Sequence, residues 1–195
     1  MAKKRTKKPA EPVKLPDQYW VLAADLSLRR PGFFKVYVQN TPDGPALQSA
    51  EAVSVDNKTT QKTHGQLLDE IMKAFVFFVP NDGKPVYFTR EKAFNARAAQ
   101  SEIGIYKVIG VMDWLLYRLR LDWAEIYPVT VKKCVTGSGK ATKEDVAAAL
   151  KRWFPDFEYR TDDESDAAAV AVSFLVQNNV LKAGEQDGCI QQPAP

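Results

Sequence analysis

The apolar run Trp20-Val-Leu-Ala-Ala24 stops on an acid, Asp25. A stretch this apolar on both alternating faces belongs in the middle of a sheet, so residues 19–25 are expected as a central strand. Two further apolar stretches are bordered by acids in the same way. Glu91 follows Val86-Tyr-Phe88 at a short distance, and Asp163 and Asp166 open the run 167–176. A carboxylate at the rim of a buried element is costly unless a cation meets it. Acids scattered along the chain but gathered at such rims point to a shared divalent ion, and so to phosphoryl chemistry.

The rest of the pattern surrounds that strand with an α/β arrangement. Residues 33–39 partly alternate and are rich in β-branched and aromatic types, which predicts a second strand. Thr41-Pro-Asp-Gly44 is turn chemistry, and 48–55 completes a three-stranded meander. Apolar positions 67, 68, 71, 72 and 75 have a helical period within 65–78. Asn81-Asp-Gly83 then breaks the chain before a strand over 85–89. The longest helix spans 96–119, with Ile105, Val108, Ile109, Met112, Leu115, Leu116 and Leu119 as its buried stripe. A strand over 125–131 and a helix over 143–154 follow, and Thr161 or Asp162 caps a last helix reaching about 177. Three strands, then alternating helices and strands, predict a mixed sheet flanked by helices.

With 195 residues, 45% hydrophobic and 26% charged, the chain has enough material for one domain with a real core. The run 167–176 is far short of a membrane span. No charged-then-apolar leader is visible, and Cys134 and Cys189 are too few for a disulfide framework, which together suggest a reducing compartment. Of the net charge of +3, residues 1–14 alone contribute +5, leaving about −2 for the remainder that carries the acids. The expected division is a disordered basic arm over 1–17, a single domain over 18–180 and a loose polar tail over 181–195. The arm suits either solubility or phosphate contact.

Each candidate has a plainer alternative. Asp25 could cap a turn, although a strand follows it. Glu91 alone is an ordinary loop acid. Asp163 and Asp166, three apart, share one side of a helix, where they would repel without a cation, but acids are favoured in any first turn. Asp162 with Asp166 has an equally good helical spacing. Gly137-Ser-Gly-Lys140 imitates a nucleotide loop and fails as one, because Cys134 stands where its first glycine belongs and Ala141 where Ser or Thr must follow. His64 is the only histidine and stands outside any clear constellation, so neither a histidine-based triad nor a His-rich metal site is expected.

Taken in order, these stretches resemble the RuvC-type Holliday-junction resolvases of the ribonuclease H-like superfamily. Asp25-Leu-Ser-Leu-Arg-Arg-Pro-Gly32 is similar to the family's opening Asp motif, and Glu91-Lys-Ala-Phe94 to its Glu-x-x-Phe. Residues 127–143, from Tyr-Pro-Val-Thr-Val-Lys-Lys to Ala-Thr-Lys, give the most extended match, and Asp163-Glu-Ser-Asp-Ala-Ala-Ala169 resembles the closing Asp-x-x-Asp-Ala element. The likeness covers about 18–178, and the compact form is similar to a bacteriophage or viral branch. Leu26 and Pro31 depart from the usual Pro and Thr, and the basic arm is extra.

The resemblance implies that Asp25, Glu91, Asp163 and Asp166 bind two Mg²⁺ ions, with Mn²⁺ as a substitute. It also implies that Lys132 and Lys143 support cleavage, roles that Lys133 and Lys140 could equally fill. Phe94 would meet unstacked bases, with core packing as the alternative. Arg90, Lys92, Arg97, Lys107, Lys133 and Lys140 would contact DNA, and Arg29 and Arg30 are weaker candidates. The partners implied are branched DNA, above all four-way junctions, and a second copy of the chain docking on helix 96–119 beside Trp114 and Tyr117. A cytoplasmic place follows, with nuclear or viral compartments left open. The implied activity is metal-dependent resolution of branched DNA. The alternatives are cleavage of RNA–DNA hybrids, flaps or linear DNA, and non-catalytic branched-DNA binding.

Overall fold

A computed structural model describes residues 14–57, 61–93 and 99–184. Its elements are β1 (Gln18–Asp25), β2 (Gly32–Thr41), β3 (Gly44–Ser54), α1 (His64–Phe78), β4 (Val86–Glu91), α2 (Ala99–Leu119), β5 (Asp122–Ile126), α3 (Pro128–Thr136), α4 (Lys143–Leu150) and α5 (Asp162–Gln177). Of the basic arm only residues 14–17, and of the polar tail only 181–184, are among the described residues. Among the described residues, no helix is long and apolar enough to cross a membrane.

The five strands form one sheet in the order β3-β2-β1-β4-β5. The first three pair antiparallel, as the turn residues predict, while β1–β4 and β4–β5 run parallel. β1 is central, and Val21, Leu22, Ala23 and Ala24 are all buried because both faces of the sheet are covered. Strand alternation divides them between two cores. Val21 and Ala23 join Phe34 and Val36 under α3, α4 and α5, while Leu22 and Ala24 join Phe33 and Phe88 under α1 and α2.

Helix starts follow their local chemistry. Thr63 with Gln66, and Thr142 with Asp145, form reciprocal capping boxes for α1 and α4, and the Thr161 hydroxyl accepts from the Glu164 N–H at the start of α5.

The structure corrects one stretch of the expected pattern. The strand over 125–131 lies earlier, at Asp122–Ile126, and 128–136 is a helix. Val129, Thr130 and Val131 carry the β-branched signature of a strand. However, Pro128 sits in the first turn of α3, where its missing N–H costs nothing, and Val131, Cys134 and Val135 form one buried face. Gly137, at φ 78°, ends the helix in the left-handed region. The helix expected over 143–154 is regular only to Leu150 and continues to Phe154 as turns.

The packing of α5 on the sheet depends on one close approach. A Cβ built on Gly32 would lie 2.0 Å from the Asp163 carbonyl oxygen, so only a residue without a side chain lets the first turn of α5 sit against the start of β2. Gly32→Ala should therefore lower unfolding free energy by about 3 kcal/mol, read as a shift in urea midpoint, because the obstacle is backbone and cannot swing aside.

Candidate active site

β1 and β4 run parallel, with Ala24 beside Arg90, so the acids that end them, Asp25 and Glu91, finish at one edge of the sheet. Carboxyl ends of neighbouring parallel strands are where open α/β sheets place their ligands. Asp25 shares the face of Val21 and Ala23, and Glu91 shares that of Tyr87, whose ring stacks on Phe174 of α5. Both carboxylates thus point to the side occupied by α5, whose first turn arrives there through Gly32.

The result is a cleft of about 280 Å³ lined by Asp25, Glu91, Asp166, Lys132 and Lys143, with Pro128 and Val131 of α3 among its walls. Lys143 Nζ lies 2.6 Å from Asp166 Oδ2. Lys132 Nζ donates to the Ala141 carbonyl at 2.7 Å, which holds the turn between α3 and α4 against the cleft.

The acids repel one another. Burial, then the charges of Asp166, Glu91 and Asp163, push the Asp25 carboxyl up to about 7, with Lys143 opposing. Burial and Asp166 push Glu91 up to about 7, against Lys143 and Lys132. Burial also raises Asp163, opposed by Arg30 and Lys143.

Of the four acids expected in the site, three line the cleft and Asp163 stands at its edge. Asp163 Oδ2 is 3.8 Å from Arg30 Nη1. Asp162, the alternative partner of Asp166, is exposed. Among the described residues, no three Asp, Glu, His or Cys side chains are already drawn into a closed ligand set. The donor chemistry nevertheless fits a hard divalent cation. The acids that line the cleft offer only oxygen, and burial and mutual repulsion raise two of them in a way that a cation among them would relieve.

The expected DNA contacts divide. Arg90 is a correction: its side chain is 2% exposed, on the far face of the sheet, bound to Asp113 and Glu125, and cannot reach a phosphate. Strand alternation turns it inward, which a basic residue beside an acid does not reveal in sequence. Lys92 is partly exposed, 3.9 Å from Glu125. Lys133 is exposed on α3 and Lys140 on the turn after it, and neither lines the cleft. Lys107 is exposed on α2, in the layer across the sheet, with Nζ 2.8 Å from His64 Nδ1. Phe94 and Arg97 lie outside the described residues.

Two supports were not singled out from sequence. Glu164, 1% exposed, accepts from Ser54 Oγ and from the Arg160 N–H, fastening the first turn of α5 to the end of β3. Asn57 is buried, donating its backbone N–H to the Arg29 carbonyl and its side-chain amide to that of Leu28, which shapes the loop that carries Arg30. Glu164 has in sequence only the signal of an acid in a first helical turn, and Asn57 has no local signal.

A family model described as crossover junction endodeoxyribonuclease RuvC matches residues 22–174. The chain belongs to the RuvC family. A RuvC of Prochlorococcus marinus strain MIT 9211 is 34% identical over 127 residues, 64% of this chain and 79% of that protein. A RuvC of Prochlorococcus marinus strain SARG is 28% identical over 158 residues, 80% of this chain and 98% of that one. The solved Thermus thermophilus RuvC superposes with a TM-score of 0.61 at 20% identity, covering 84% of this chain and 99% of that one. Its complex with a Holliday junction substrate gives 0.62 over 84% and 98%. These structures share the ribonuclease H-like fold found here. RuvC proteins depend on a divalent metal.

An acid whose folded pKa is raised stabilises the fold fully below its unfolded value and loses that contribution as pH climbs through the folded value. For Asp25 and Glu91 the window runs from about pH 4 to about pH 7. Metal-free protein should therefore lose stability across that interval. Asp25→Asn should raise its thermal midpoint at pH 8, by roughly 2 kcal/mol in unfolding free energy, and leave it nearly unchanged at pH 4.

Proposed function

We propose that the protein is a structure-selective DNA endonuclease that resolves Holliday junctions or other branched DNA by metal-dependent phosphodiester hydrolysis. The observation that carries this is the meeting of Asp25, Glu91 and Asp166, from three distant stretches, in one cleft with Lys143, in a chain of the RuvC family.

Asp25, Glu91 and Asp166 would hold the metal, with Asp163 adding a fourth carboxylate from the edge. When bound, two Mg²⁺ ions, or Mn²⁺ in their place, would activate the attacking water and stabilise the leaving 3′ oxygen. The protein's own part is positioning and charge. Lys143, hydrogen-bonded to Asp166, brings a cation to where the phosphate gathers negative charge, and Lys132 adds positive potential beside Glu91 while holding the α3–α4 turn. Lys133, Lys140 and the basic arm would contact the DNA backbone without reading sequence. By the family resemblance, Phe94 would meet unstacked bases and Arg97 the phosphate backbone.

A four-way junction presents two strands for cutting, and a two-fold dimer would bring one cleft to each. Helix α2 supplies a candidate interface. Ile103, Tyr106, Trp114 and Tyr117 are exposed on one side of it, Tyr117 at 80%, opposite the buried Val108, Met112 and Leu116. Gly110 lies among them with open space where a Cβ would stand, which allows close helix approach. An apolar stripe of this kind suits a second copy of the same helix.

The test is an immobile four-way junction incubated with purified protein and Mg²⁺, beside a flap and an RNA–DNA hybrid. Paired, symmetric nicks in the junction are expected. Asp25→Asn and Glu91→Gln should each cut at least about 1,000-fold more slowly yet bind the junction within about twofold of wild type. Cleavage of the hybrid alone would overturn the substrate class. Separately, Trp114→Glu with Tyr117→Glu should turn a dimer into a monomer by light scattering; an unchanged mass would exclude α2 as the interface.

A further inference from the structure

Arg90 has the largest side chain among the fully buried residues, and it directly precedes Glu91. Its guanidinium lies across the sheet from the cleft. Nη1 is 2.7 Å from Asp113 Oδ1 on α2, Nη2 and Nε are 3.1 and 3.3 Å from Glu125 Oε1 on β5, and the Trp123 ring covers it at 4.5 Å. The other oxygen of Glu125 is 3.9 Å from Lys92 Nζ, and the Lys92 N–H donates to the Ile126 carbonyl at 2.8 Å. The residues on either side of Glu91 are thus both tied to one carboxylate of the neighbouring strand.

We propose that Arg90, through Glu125 and Asp113, is a positioning residue for Glu91, a clamp on the far face of the sheet that holds the end of β4 so that the next carboxylate meets Asp25 and Asp166. A strand end is otherwise free to fray, and this one is followed by chain that must leave the sheet. Fastening residues 90 and 92 to Glu125 restrains the peptide units on both sides of Glu91, and alternation then sends its side chain into the cleft. A buried arginine is costly to desolvate, and here two carboxylates and an aromatic face offset that cost at the one strand position beside the acid. A metal site held within a few tenths of an ångström needs such support behind its ligands.

The proposal rests on the metal-binding role given to Glu91 above, and the experiment separates the two. Mn²⁺ binding is measured by isothermal titration on the full chain, well below each variant's thermal midpoint, alongside half-saturating Mg²⁺ for cleavage and the junction Kd in EDTA. Arg90→Met and Glu125→Gln should weaken Mn²⁺ binding about tenfold or more, and Arg90→Lys, which keeps the charge, should recover part of the loss. Asp113→Asn, at a position 44% exposed and so tolerant of change, should show a smaller loss in the same direction. Cleavage by these variants should return towards the wild-type rate as Mg²⁺ is raised, with junction Kd unchanged. Lower thermal midpoints with unaltered Mn²⁺ affinity and Mg²⁺ half-saturation would overturn the clamp and leave Arg90 a packing residue. So would weaker junction binding at unaltered metal affinity. Glu91→Gln should itself lose Mn²⁺; if it binds like wild type, the role of Glu91 fails, whereas loss there with full binding in the Arg90 and Glu125 variants removes the clamp alone.

Discussion

Parallel pairing of β1 with β4 is the constraint on which the rest depends. Because Ala24 stands beside Arg90, two acids more than sixty residues apart end their strands at the same edge and on the same face. Hydrogen bonding along the ladder makes that coincidence rigid, and the helices on both faces keep water from the strands that carry it. α5 then adds its acids from above, and the bare backbone of Gly32 decides how near they come. A site of three carboxylates emerges from one register and one close approach.

Such a site works against the stability of the fold that makes it. Carboxylates pressed together in a half-buried cleft repel, and the cost appears as the raised Asp25 and Glu91 groups. The surrounding structure offsets this with cations at fixed places: Lys143 on Asp166, Arg30 near Asp163, and Lys132 near Glu91. Glu164 and the Asn57-braced loop hold the elements that carry these groups. The two faces of the sheet accordingly differ. One gathers negative charge in the cleft, and the other pairs the buried Arg90 guanidinium with two partly exposed carboxylates at the same strand end.

Much of the fold was legible along the chain, where burial follows a simple period. The apolar run ending at Asp25, the turn at Thr41-Pro-Asp-Gly44 and the stripe of α2 each have local causes, and each lies close to where the pattern puts it, except that Leu119, at the end of α2, is exposed. α3 was not legible, because Val129, Thr130 and Val131 favour a strand while Pro128 favours a helix start, and only packing of Val131, Cys134 and Val135 against α5 decides between them. The burial of Arg90 is hidden from the sequence for a related reason. A basic residue beside an acid suggests a surface, and its burial depends on Asp113, Glu125 and Trp123, none of them near it in sequence.

By itself, then, the sequence determined the kinds and order of the elements other than α3, and the placing of acids at the borders of three buried runs, since these follow from local periodicity and the cost of burying charge. Tertiary structure decided which acids share a cleft, that Asp166 rather than Asp163 faces into it, and that Arg90 stands behind the site rather than in front of it. Those outcomes depend on strand register, on helix approach and on which charges meet across the sheet. Such contacts join residues far apart in the chain, so no single stretch of it encodes them.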